Sequence, residues 1–175
     1  MSRTPLAPVR STSSARAERR DPAGEPRLYV VGRAIDRAQV IGLLSALRVS
    51  RFDLADVSLY MRLDREPVAG AAESPSEHAR GTLRSFGPLG RRARVSRSGN
   101  VLSAGPLSRT SGSDLSSAPG LGAIGLPADS LRGFEQAVAL GSPVICLETP
   151  HRGWQSQARR IFAACGIHDI AVAAA

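Results

Sequence analysis

A chain of 175 residues with 42% apolar but only 4% aromatic side chains can bury one aliphatic core, and it lacks the aromatic platforms on which bases or sugars stack. Its formal charge of +8 rests on 23 basic residues, every one an arginine. That excludes Schiff-base, P-loop-lysine and lysine general-base chemistry. The positive balance suits weak, nonspecific contact with nucleic acid or an anionic surface. No apolar run approaches the ~20 residues of a membrane span, so no transmembrane segment is expected. Two cysteines, Cys146 and Cys165, are too few for a disulfide framework and fit a cytoplasmic protein.

Residues 1–26 are rich in Arg, Ser and Pro, with too little apolar surface to offset ordering entropy, and read as a disordered tail. Order is expected over 27–173 as a single domain. Leu28-Tyr29-Val30-Val31-Gly32 reads as a short buried strand. Asp36 and Gln39 then stand at capping-box spacing, and Val40, Leu43, Leu44 and Leu47 form one helical stripe. Asp56-Val57-Ser58-Leu59-Tyr60-Met61 returns to strand alternation and completes a first strand-helix-strand unit over 27–62.

Residues 64–120 are poor in large apolar side chains and rich in Gly, Ser, Pro and Arg, which predicts a long polar insertion without a core of its own. Between Arg80 and Arg109 lie seven arginines and no acid. Arg91, Arg92, Arg94 and Arg97 are the candidates for contact with phosphates. Phe86 is the only aromatic residue nearby, so base stacking is not expected, and a solvated basic loop is the alternative. His78, with Glu73 and Glu77, sits in polar sequence that supplies no nucleophile.

A helix is predicted over 127–140 through Leu131, Phe134 and Val138, with Asp129 in its positive first turn. The first unit's grammar then returns over 143–173. Val144-Ile145-Cys146-Leu147-Glu148 reads as a strand and Thr149-Pro150 as a helix cap. A stripe of Trp154, Ala158, Ile161, Phe162 and Cys165 marks a helix that Gly166 ends, before the strand at Asp169-Ile170-Ala171-Val172. Two such units predict an α+β fold. The expected form is a ferredoxin-like pair of βαβ units making a four-stranded sheet with helices on one face and the other face open.

Three stretches carry a family resemblance. They are Val30-Val31-Gly32 with the helix to Leu47, Phe52 and Asp56-Val57-Ser58-Leu59; Gly125-Leu126-Pro127 with Phe134-Glu135, Gly141 and the strand Val144 to Leu147; and the Trp154 helix closing at Gly166 and Asp169-Ile170. Together they resemble the bacterial general stress proteins of the heat-induced and low-temperature-induced type. The resemblance implies a paired strand-helix-strand domain without established catalytic residues, in a stress-associated role. The middle departs from that family, since only Gly99 to Leu107 is similar to its Gly- and Ala-rich apolar segment.

Two constellations compete with a non-enzymatic reading. Gly120-Leu121-Gly122-Ala123-Ile124-Gly125 matches a dinucleotide fingerprint, with Gly120, Gly122 and Gly125 cradling a pyrophosphate of NAD or ATP and Glu148 on the ribose. The polar stretch Arg109 to Pro119 supplies no strand before it, which favours a tight glycine turn. Cys146, His151, Cys165 and His168 could converge on zinc, but their spacing matches no standard finger, and Cys165 lies on an apolar stripe. No catalytic residues and no cofactor are expected. The expectation is an interaction or assembly module that forms a homo-oligomer through the open sheet face.

Overall fold

The computed structural model describes residues 26–62, 86, 94–95, 101–109, 118 and 120–175. Strand β1 spans Leu28–Arg33, helix α1 Arg37–Val49 and strand β2 Val57–Arg62. Strands β3, Arg94–Val95, and β4, Val101–Ala104, follow. Helix α2 spans Ala128–Ala139, strand β5 Val144–Thr149, helix α3 Arg152–Ala164 and strand β6 His168–Ala174. The fold is α+β. Its sheet is antiparallel at every pairing, in the order β3-β4-β2-β5-β1-β6.

The helices begin where short-range chemistry satisfies their first amides. Asp36 Oδ1 accepts from Gln39 N at 2.8 Å, while Gln39 Oε1 accepts from Ile35 N at 2.7 Å, so the expected capping box is present in a slightly shifted form. The α1 stripe of Val40, Leu43, Leu44 and Leu47 is buried, and each such side chain contributes about 1.5–3 kcal/mol of transfer free energy. Helix α3 differs from expectation at its start. His151, rather than Thr149-Pro150, is the capping residue, its Nδ1 accepting from Gly153 N at 3.2 Å.

Helices α1 and α3 cover one face of the sheet, packing Leu43, Leu47, Ala158 and Phe162 against Val30, Val57, Leu59, Ile145 and Leu147. Phe52 meets Trp154 edge-on at 4.8 Å, a favoured aromatic geometry. Gly32 permits a close approach here, because a Cβ on it would lie 2.4 Å from Ile167 Cγ2. The absent side chain lets the end of α3 rest on the strand backbone.

Two expectations are corrected. The sheet has six strands, not four, because β4 pairs with β2 from Leu59↔Ala104 to Arg62↔Val101 and β3 pairs with β4. The helices are not confined to one face. Helix α2 and the 3-10 turn Leu121–Ile124 cover the other, burying Phe134, Ala137, Val138, Leu121 and Ile124 against Tyr29, Val31, Tyr60, Val144 and Cys146. Val57 and Leu59 are fully buried under α1 and α3. The middle of the chain lends residues to the shared core: Phe86, Leu102, Ala104, Leu107 and Ala118 are all buried. Isolated apolar residues among polar neighbours serve a core whose remainder comes from distant sequence.

Candidate functional site

Where strand β6 starts, the ladder with β1 is irregular. The register slips between Val31↔Ala171 and Arg33↔His168, and Asp169 takes a φ of 53°, a left-handed conformation that Asp adopts more readily than most residues. The bulge brings Asp169 beside the last residue of β1. Arg33 Nε lies 2.8 Å from Asp169 Oδ2, with the two side chains 40% and 63% exposed. The buried Nε nevertheless has no aligned acceptor among the described residues.

Helix α2 passes alongside this pair and closes a cleft of about 330 Å³. Arg33, Asp169, Ser130 and Gln136 give it a polar rim, and Phe134, Ala137 and Leu140 an apolar wall. Phe134 and Ala137 belong to the core, whereas Leu140 stands 76% exposed at the lip. Sequence reading passed over this cleft. Arg33 stands just past the predicted strand and Asp169 at the start of another, and only the β1–β6 pairing joins them.

The outer margin of β6 is a second feature. Arg27 and Ala175 exchange both backbone hydrogen bonds, at 2.8 and 2.9 Å. By antiparallel alternation, Ala171 and Ala173 turn their amides toward β1 while Ile170, Val172 and Ala174 turn theirs outward. The turn at Gly125 abuts the Ala174 carbonyl, since a Cβ on Gly125 would lie 2.6 Å from that oxygen. Among the described residues no strand pairs with the outer side of Ile170–Val172, and Val172 is 47% exposed.

The sequence candidates are dispersed. Residues 120–125 form a 3-10 turn with left-handed glycines at its ends, Gly120 at φ 89° and Gly125 at φ 76°. Leu121 and Ile124 anchor this turn in the core beneath α2, and a Cβ on Gly122 would make ordinary contact with Leu131 at 3.7 Å. Turn geometry accounts for Gly120 and Gly125, packing does not require glycine at 122, and the antiparallel sheet lacks the parallel βαβ setting of a dinucleotide fold. Glu148 forms an ion pair with Arg27 at 3.6 Å.

Cys146 and Cys165 pack on opposite faces of the sheet, the first under α2 and the second beside α3. His151 caps α3 and His168 opens β6, both exposed. The four are not drawn together, and no three His, Cys, Asp or Glu side chains cluster as a metal site among the described residues. Burial, and secondarily Glu148, pushes the Cys146 thiol well up, so it is a protonated core residue rather than a nucleophile. Burial likewise raises Tyr60, and raises Tyr29 with help from Glu148. Of the arginine candidates, the backbone of Arg94 lies in β3, while Arg91, Arg92 and Arg97, like His78, Glu73 and Glu77, lie outside the described residues. No described helix is long and apolar enough to cross a membrane. Comparison with family models, with curated proteins and with solved structures gives no match.

Proposed function

We propose that this chain is a non-enzymatic, stress-associated protein that works as an assembly module, its four strands β6-β1-β5-β2 forming a ferredoxin-like pair of βαβ units. The sequence resemblance to the general stress proteins supports the stress association. The strand order and the matched units β1-α1-β2 and β5-α3-β6 support the architecture.

The observation that carries the assembly reading is the outer margin of β6. With both sheet faces covered, association moves from a face to an edge, where unpaired strand amides template pairing with another chain. Two copies paired antiparallel about Ala171 set Ile170 of one opposite Val172 of the other, and Ala171 opposite Ala171. Every such pair is apolar, and no like charges meet there. The bulge at Asp169 and the Gly125 turn bound the interface at either end.

Light scattering on the full chain tests this. A mass twice the protomer's 18.4 kDa is expected at high concentration. Val172→Lys, at a side chain already exposed, is expected to return it to the protomer mass with little change in melting temperature. A protomer mass for the unaltered chain at every concentration rejects the assembly reading. The stress association is checked separately by following the transcript through heat and cold, and a level flat across both removes it.

A further inference from the structure

We propose that the cleft between Arg33, Asp169 and helix α2 binds a small monocarboxylate with an apolar tail. The first support is the guanidinium. Asp169 Oδ2 comes 2.8 Å from Arg33 Nε as an ion pair without hydrogen-bond alignment, and no described residue hydrogen-bonds to the two terminal nitrogens. Their paired N–H groups match the two oxygens of a carboxylate. The ion pair holds the arginine beside the cleft that it lines.

Asp169 also sets the charge of the ligand. A carboxylate 2.8 Å from the guanidinium cancels much of its field, so a singly charged anion is accommodated where a phosphate dianion is repelled. Asp169 stands at the register slip of β1 and β6 with a φ of 53°.

The apolar half of the ligand follows from α2. Phe134 and Ala137 form a buried wall and Leu140 an exposed lip, arranged to cover a hydrocarbon tail whose head lies on Arg33. Gly133 stands between these groups in mid-helix, where a Cβ would meet nothing within 4 Å. Glycine there costs the helix about 1 kcal/mol relative to alanine, and it leaves room over the cleft. A volume of about 330 Å³ falls at the small end of ligand sites, which suits a compact acid rather than a nucleotide.

The test is a titration of the isotope-labelled full chain with sodium octanoate at neutral pH, followed by the amide and arginine Nε–H resonances. Saturable shifts at Arg33, Gly133 and Leu140 are expected. Octanol, with the same tail, and inorganic phosphate are expected to bind at least about tenfold more weakly, since each forgoes the charge-assisted carboxylate pair. Arg33→Gln is expected to lose a similar factor. Gly133→Leu, which fills the cleft while improving helix propensity, is expected to abolish the shifts with the fold intact by circular dichroism. Equal binding of octanol and octanoate, retained binding in Gly133→Leu, or no saturable shift overturns the proposal. None of these results depends on whether the chain dimerises through β6.

Discussion

Single positions show how differently the same residue type can serve this fold. Gly125 sits at φ 76° with the Ala174 carbonyl 2.6 Å from where a Cβ would be, whereas Gly42 lies inside α1 with nothing within 4 Å. Gly125→Ala is expected to destabilise by about 1–2 kcal/mol from the backbone alone, and further through the clash. Gly42→Ala is expected to stabilise by about 0.5–1 kcal/mol, because it removes backbone freedom from the unfolded chain and nothing obstructs the methyl. Urea melts of the two variants check both signs. Glycine spacing alone is blind to what surrounds each glycine. Gly120 and Gly125 bend the backbone over a packed core, and a left-handed turn gives the same string as a phosphate cradle.

Between elements, the connection least visible in sequence is Gln39. Its position after Asp36 marks it as half of a capping box, and its Oε1 indeed accepts from Ile35 N. Its Nε2 also donates to the carbonyls of Cys165 and Gly166, at 3.0 and 2.7 Å, at the far end of α3. One side chain therefore secures the start of one helix and the finish of another, 126 residues on. Gln39→Ala is expected to cost about 3 kcal/mol, at roughly 1 kcal/mol for each of the three side-chain bonds. Gln39→Glu, unable to donate from that end, is expected to keep the α1 start while losing the α3 tie, and amide exchange at Gly166 and Ile167 distinguishes the two. The strands and stripes themselves were legible. Leu28–Arg33, the α1 leucines and the Phe162 helix all follow from periodicity strong enough to stand alone. Strand β4 was not, since Val-Leu-Ser-Ala offers four residues of mixed character and owes its place to pairing with β2. The cleft was illegible for a related reason: its two charged residues lie 136 positions apart in the chain, and only sheet register joins them.

The molecule as a whole has an unusual titration. Every base beyond histidine is arginine, so no lysine loses charge between neutral pH and strong alkali. In that window the side chains that can ionise are two tyrosines and two cysteines. Tyr29, Tyr60 and Cys146 are all raised by burial. Each is an acid that stays neutral in the fold after it would ionise in the unfolded chain. Their contribution to stability is therefore complete below the ordinary thiol and phenol range and declines as pH climbs through it. The melting temperature is expected to hold up to about pH 8 and fall steadily from about pH 9 upward. Tyr60→Phe is expected to make that fall shallower, and a melting temperature flat up to pH 11 would contradict the burial of these groups.

Strand β1, from the first unit, lies between β5 and β6, both from the second. The two units are interleaved rather than stacked, and cutting the polypeptide between them leaves neither piece with a complete sheet. A chain emerging from the ribosome cannot seat its first strand until its last has been made. The first strand-helix-strand unit therefore waits through synthesis with its apolar stripe uncovered, a period in which chaperones and proteases have access to it.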